Sequence, residues 1–421
     1  MNLKIYLFLV LLTNAFVTVA QTPLYLNFVS HNEITDSLDY ANSASDFNYI
    51  KPKVKEICDT INSLHAKYNM QLDANFIFGC LHFDDAATSS DDLIEWASNS
   101  DYIDVDGHNH FSPFANPYNY ADLAYLLDSA GVSLYHHILG GVAYATMDVG
   151  GIHIQESWTQ YSTPKAGFTF TDFIWQADII WGTATPGHVA DYTTFGIWKP
   201  AGADSPAEFG THDPSATLSA IGGGCKDDVG FNLNAQTFQL NHTTAEIIQN
   251  IKNIADGIQT IPSGPNDFYT MNMLFNFRDI PRIPHFADSI ATIIRGVQPY
   301  VDAGKIVWAT LGEKYDLWYA THSDPNDYFN VDCTAIPLGS TEVESPQKVV
   351  VFPNPTSGQI TIADERILPD AEVIIFDLLG APLRKWVFND GIFDISALGK
   401  GIYLLQIRQD NQLFVQKIIR Q

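Results

Sequence analysis

Asp101–Pro113 reads DYIDVDGHNHFSP, and the fold turns on how this stretch is read. Asp104, Asp106, His108 and His110 stand at successive i+2 positions. In an extended segment such residues point to one side, so two carboxylates and two imidazoles converge on one patch. That arrangement is costly inside a fold unless something cationic or catalytic sits against it. A divalent metal, zinc first among them, meets the requirement most simply. The alternative is a polar loop with two histidines near its tip.

Working outward, Leu24–Ser30 (LYLNFVS) is a short apolar run that leads directly into His31-Asn32-Glu33. Polar residues at the C-terminal end of a first strand are where α/β proteins place their chemistry. Helical spacing over Phe47–Tyr68 puts Tyr49, Val54, Ile57, Ile61, Leu64 and Tyr68 near one stripe. Leu72–Cys80 is expected to be a second strand, Asp91–Ala97 a short helix and Asp101–Gly107 a third strand. Asn119–Ala130 is an amphipathic helix ended by Gly131. The alternation of strand and helix predicts an α/β class. Ser133–Leu139, Ala177–Gly182, Gly196–Lys199 and Leu218–Ile221 are further strand candidates, and Gly140–Thr171 is read as an irregular insertion shaping a cleft. Thr243–Ile258 and Pro284–Ala303 are helices, while Phe268–Phe277 and Lys305–Leu311 are late strands. The body therefore reads as an irregular (β/α) barrel of about seven strands over 21–322. Residues 323–345 read as a linker and 346–421 as a small all-β sandwich of short alternating strands.

The chain has 421 residues, with 22 Lys+Arg against 48 Asp+Glu and a net charge of -26. From Pro346 onward 8 basic and 8 acidic residues cancel, so the body carries the whole imbalance. A body this acidic repels phosphates, which argues against nucleic acid and for a neutral or cationic substrate. Residues 1–20 have the form of a signal peptide: Lys4, an apolar Ile5–Leu12, and a small-residue site ending at Ala20. No transmembrane segment is expected, because no later run approaches ~18 apolar residues. Export permits disulfides among Cys58, Cys80, Cys225 and Cys333, and three full connectivities exist. Cys58–Cys80 is the pair expected to lie close enough to bridge, with free buried thiols as the alternative.

The tail resembles the C-terminal sorting domain of proteins exported by type IX secretion. The resemblance rests on Phe352-Pro-Asn-Pro355 with Gly358, on Ile375-Phe-Asp-Leu-Leu-Gly380, on Leu398-Gly-Lys-Gly-Ile-Tyr-Leu404, and on Lys417 and Arg420. It implies passage across the outer membrane, the type IX machinery as partner, and a secreted or cell-surface location. The body resembles the glycoside hydrolase/deacetylase barrel superfamily, in which a metal sits at the C-terminal mouth of the barrel. The places that match are His31-Asn32-Glu33 and His108-Asn109-His110, followed by the helix with Tyr120 to Tyr125. Two features depart from polysaccharide deacetylases. Those proteins carry paired aspartates at the first position, and their second motif spaces its histidines by four rather than two.

These readings converge on a secreted metal-dependent hydrolase acting on carbohydrate, most simply a polysaccharide deacetylase. His31, Glu33, His108 and His110 are the expected ligands and Asp104 or Asp106 the base, while Arg278 and Trp198 are the candidates for holding substrate. A metal-dependent glycosidase of the same superfamily and a non-catalytic carbohydrate-binding or adhesion protein are the alternatives. Of the remaining polar groups, Phe83-Asp84-Asp85 follows the wrong strand for a catalytic role, at most one of His136-His137 can join a site, and His212-Asp213 with Gly222-Gly-Gly224 reads as a surface loop before a lid or a ligand loop.

Overall fold

The computed structural model describes residues 22–32, 38–84, 92–109, 118–141, 177–181, 194–202, 206–225, 227–228, 231–232, 237–240, 243–337, 349–364, 366–369, 371–377, 382–389, 391–409 and 412–421. They fall into two compact units that divide after Pro337. The expected signal peptide lies outside the described residues.

In the first unit the order begins β1 (Leu24–His31), α1 (Ala44–Leu64), β2 (Tyr68–Leu72), α2 (Ala74–Phe83), α3 (Leu93–Ser98), β3 (Ile103–His108) and α4 (Tyr120–Ser129). Next come β4 (Ile138–Gly140), β5 (Ile179–Trp181), β6 (Thr194–Trp198), α5 (Pro206–Phe209) and β7 (Ser219–Ile221). The short β8 (Asp227–Asp228), β9 (Phe231–Asn232) and β10 (Thr237–Leu240) precede α6 (Thr244–Ile258) and β11 (Tyr269–Asn276). The unit closes with α7 (Asp279–Arg282), α8 (Phe286–Asp302), β12 (Ile306–Trp308), α9 (Leu311–Tyr319) and β13 (Phe329–Asp332).

The fold is mixed α/β around one large curled sheet. Its strand order is β13-β6-β7-β5-β4-β3-β2-β1-β11-β8, with β12 also paired to β1. That makes eleven strands among the described residues, rather than about seven. The run from β5 through β11 is parallel, and β6 is antiparallel to both β7 and β13. Curling brings β11 against the region after β7. Asn272 N donates to Gly223 O at 3.0 Å, and Thr270 Oγ1 to Gly222 O at 2.7 Å. Gly222–Gly224 is thus a buried seam of the sheet and not a surface loop, lid or ligand loop.

One face of β1 carries Leu24, Leu26 and Phe28 into an apolar cluster with Phe47, Ile50 and Val54 of α1 and Ile290, Ile293 and Val297 of α8. Burial of this kind stabilises by roughly 25 cal/mol per Å² of apolar surface. The helix α1 starts where the Ser43 side chain accepts from Asp46 N, and stops where His65 adopts a left-handed conformation at φ 55. That stop frees Tyr68 to begin β2, so the strand lies earlier than Leu72–Cys80. The run expected to be that strand is α2 instead, opened by Asp73 accepting from Phe76 N at 2.9 Å.

Two further expectations are corrected. Phe329–Asp332, placed in the linker, is a strand paired with β6. Cys225 and Cys333 form the disulfide, with Cα atoms 5.2 Å apart, whereas Cys58 and Cys80 are buried free thiols on α1 and α2. Apolar burial pushes the Cys58 thiol up to about 12, so it remains protonated and unreactive.

The second unit is all-β: β14 (Val351–Phe352), β15 (Gln359–Ile362), β16 (Glu372–Phe376), β17 (Pro382–Val387), β18 (Ile392–Asp394), β19 (Gly401–Gln409) and β20 (Gln412–Arg420). It has two antiparallel sheets, β14-β15-β18 and β17-β16-β19-β20. Alternate residues from both, including Ile360, Val373, Ile375, Phe393, Leu405 and Ile407, form its core.

Candidate functional site at the C-terminal ends of the parallel strands

Strand register decides what faces the inside of the curl. His31 pairs with Gln71, Gln71 with Asp106, His108 with Gly140, and Gly140 with Trp181. Because alternate residues share a face, His31, Gln71, Asp106, His108 and Trp181 all point inward near the strands' C-terminal ends. His31 and His108 are fully buried, and their ring centres lie 3.9 Å apart with planes at 36°. The Trp181 ring meets His31 edge-on at 5.3 Å.

Two glycines make this packing possible. A Cβ at Gly140 would overlap the Gln71 carboxamide, and one at Gly141 would overlap the His108 imidazole. Gly141 also has φ +76, a conformation that L side chains rarely adopt. The Gly140 carbonyl is fixed by Tyr120 Oη and by Asn109 N, the latter at 3.2 Å. Among the described residues, neither the amide oxygen nor the amide nitrogen of buried Gln71 has a hydrogen-bond partner, and the same holds for Trp181 Nε1.

Beneath the imidazoles runs a chain of buried polar groups. Asn69 Nδ2 donates to Asp106 Oδ2 at 2.7 Å, and Asn27 Nδ2 donates to Asn69 Oδ1 at 2.8 Å. Lys314 Nζ, from α9, donates to Asn27 Oδ1 at 2.6 Å, Asn272 Oδ1 at 2.6 Å and Met271 O at 3.0 Å. Burial pushes the Lys314 pKa down, yet three acceptor oxygens require three N–H donors, and this geometry is that of the ammonium form. Asp106 is held well above the usual carboxylate range, first by burial and then by the charge of Asp104.

The named site residues are therefore distributed as follows. His31 and His108 come together, and Asp106 lies on the same face of β3, two residues below His108. Asp104 is four residues below His108, roughly 13 Å along the strand. It is shifted up to about 6, chiefly by burial, and it neighbours Thr310, Glu313, Lys67 and His136 at the end closed by α9. Arg278 is half-buried just beyond β11, next to Phe277, whose N donates to His31 O at 2.8 Å. Trp198 lies on the outer face, 2% exposed, within an apolar cluster apart from the histidine pair, and its indole N–H donates to Phe209 O at 2.5 Å. Glu33 and His110 lie outside the described residues. Among the described residues, no three His, Cys, Asp or Glu side chains form a metal-binding group. Two neutral imidazoles suit a divalent cation as donors, but such a site usually takes a third protein ligand.

Other polar motifs have structural partners. Asp84 pairs with Lys51 and accepts from Leu93 N at 2.8 Å. His136 lies between Asp178 at 3.3 Å and Asp316 at 3.2 Å, and His212 links Lys199 N to Pro325 O. The spacing of motifs alone missed Gln71 and the Asn27–Asn69–Lys314 chain. The Asn69–Gln71 pair did carry an i,i+2 signal, hidden because the helical stripe of α1 continues in the sequence to Tyr68.

Comparison with known proteins bears mainly on the second unit. Residues 350–421 match the family model for the secretion system C-terminal sorting domain. PorZ, an essential surface component of the type-IX secretion system of Porphyromonas gingivalis, is 18% identical over 23% of this chain, with a TM-score of 0.16; the match spans 14% of PorZ. A protein of Parabacteroides distasonis, described provisionally as a glycoside hydrolase/deacetylase, is 10% identical over 92% of this chain and 82% of its own, with a TM-score of 0.39. No curated protein matches. Among the described residues, no helix is long and apolar enough to cross a membrane. Residues 350–421 belong to the secretion-system sorting-domain family, and the chain is exported by the type IX route to the cell surface or beyond.

Proposed function

We propose that this exported protein is a hydrolase acting on carbohydrate, with its reaction centre at His31, His108 and Asp106. The observation that carries the reading is the contact of two fully buried imidazoles, 3.9 Å between ring centres, above a buried carboxyl group. Two imidazoles this close cannot both be protonated without a large electrostatic cost. As neutral donors they suit a divalent cation, with Glu33 or His110 as the third ligand. A bound metal would polarise the substrate carbonyl and lower the pKa of a coordinated water. The rest of the chemistry falls to the chain itself. Asp106, whose carboxyl burial holds above the usual carboxylate range, is the group placed to exchange a proton with the substrate, and Asn69 fixes its orientation. Arg278 stands at the rim to orient substrate. The acidic body favours a neutral or cationic polymer over a phosphorylated one.

Deacetylation is the simplest hydrolysis that fits a single activated water. The test is incubation of mature protein, with and without added Zn²⁺, on acetylated and unacetylated neutral polysaccharides. Acetate release that disappears in a folded His108→Ala variant supports the reading. New reducing ends without acetate move the assignment to a glycosidase. Neither product, with no bound metal, contradicts it.

A further inference from the structure

We propose that Gln71 and Trp181 form a subsite that recognises a vicinal diol of a neutral sugar ring, an assignment that names the substrate class of the reading above and rests on it. Gln71 is fully buried, and among the described residues neither atom of its carboxamide is hydrogen-bonded. Trp181 is 2% exposed, and its indole N–H likewise has no partner among the described residues. Buried polar groups are nearly always paired, and an unpaired one carries its full desolvation cost. Two such side chains at one place, both beside the His31–His108 pair, therefore mark positions that a ligand completes.

Their placement defines the ligand's chemistry. The Gln71 carboxamide lies against Gly140, whose partner on the next strand is Trp181. Neighbouring strands are about 4.8 Å apart, so the amide and the indole can engage one small molecule. Gln71 offers one acceptor and an N–H donor side by side, and Trp181 offers one more donor. Adjacent hydroxyls of a sugar complement that set: one donates to Oε1, its neighbour accepts from Nε2, and a further oxygen accepts from the indole. An anion would face Oε1 as a repulsive acceptor, within a body of net charge -26. Gly140 is what keeps the amide in place, since any side chain there would displace it.

The test uses the full exported chain and reads binding and stability rather than turnover. The probes are the methyl glycosides of mannose, glucose, galactose and xylose, together with monodeoxy analogues that lack one hydroxyl of the diol. Gln71→Met keeps the length of the side chain and removes the amide, so the unliganded protein should gain about 2–4 °C in Tm. At least one glycoside should raise the wild-type Tm, and its monodeoxy analogue should not. Gln71→Met should weaken that glycoside at least about tenfold. Gly140→Ala, which retains the amide but moves it, should do the same. The subsite is overturned if Gln71→Met lowers the Tm, if no glycoside in the set shifts the wild type, or if both variants bind as tightly as wild type. Gln71-dependent binding without any hydrolysis would leave the subsite standing and remove the hydrolase reading. Hydrolysis untouched by Gln71→Met would do the reverse.

Discussion

At the scale of single residues, β3 carries three titratable groups whose environments differ although they share one face. His108 packs on His31, Asp106 is tied to Asn69, and Asp104 sits near Thr310, Glu313 and Lys67. Asp104 has a folded pKa of about 6 against an ordinary 3.8. Between those values the folded state binds more protons than the unfolded chain, so stability is fullest below about pH 4 and declines as pH rises towards 6. A shift of about two units corresponds to about 3 kcal/mol. Asp104→Asn should therefore flatten the stability profile between about pH 4 and 6 in urea titrations. An unchanged profile would mean that the carboxyl is already ionised at pH 4. Spacing by two is enough on its own to place Asp104, Asp106 and His108 on one face. It does not say which end of the strand each meets, because that depends on α9, some two hundred residues later.

At the scale of elements, α9 supplies a side chain to the polar interior and the disulfide joins two distant segments of the first unit. The helix α9 opens with a capping box between Thr310 and Glu313 and sends Lys314 into the polar interior. Lys314→Met should cost about 3–5 kcal/mol, because it leaves three buried acceptors without their donor. Chemical denaturation measures this, and a loss under 1 kcal/mol would show that the acceptors find other partners. The Cys225–Cys333 bridge spans a separation of 108 residues and ties the segment after β13 to the seam that follows β7. Loop-closure arguments give up to about 5 kcal/mol for a loop of this length. Cys225→Ser, or reduction, should lower stability by several kcal/mol, whereas Cys58→Ala should be insensitive to reductant. Helices with clear caps, such as α4 and α6, were legible in the sequence to within a residue or two. Strand β2 was not, because the stop at His65 is a left-handed turn without glycine. The apolar run after Asp73 fits a strand and a buried helix equally well.

At the scale of the whole molecule, the two units carry separate instructions. The acidic body, with its curled and mostly parallel sheet, carries the site proposed to do the chemistry, and the neutral all-β unit holds the export signal. A chain ending at Pro337 should keep the melting behaviour of the body and fail to reach the cell surface or medium in a type IX-competent host. Its appearance outside the cell at wild-type level would contradict the role of the second unit. The class of the body was legible from its alternation of strands and helices. The full strand count was not, since β8 has only two residues and β13 falls in the stretch read as a linker. The tail was the most legible part, because its motifs are tied to turns that only a few residues can make.

The central claim is that His31 and His108 act together as donors to one divalent cation at the mouth of the curl. Its most direct measurement is the metal content of the purified exported protein by inductively coupled plasma mass spectrometry, after dialysis against Zn²⁺ and removal of excess. Wild type should hold about one equivalent per chain, and His31→Ala and His108→Ala should each hold little, with unchanged circular dichroism. A wild type without stoichiometric metal, or either variant retaining a full equivalent, would contradict the account.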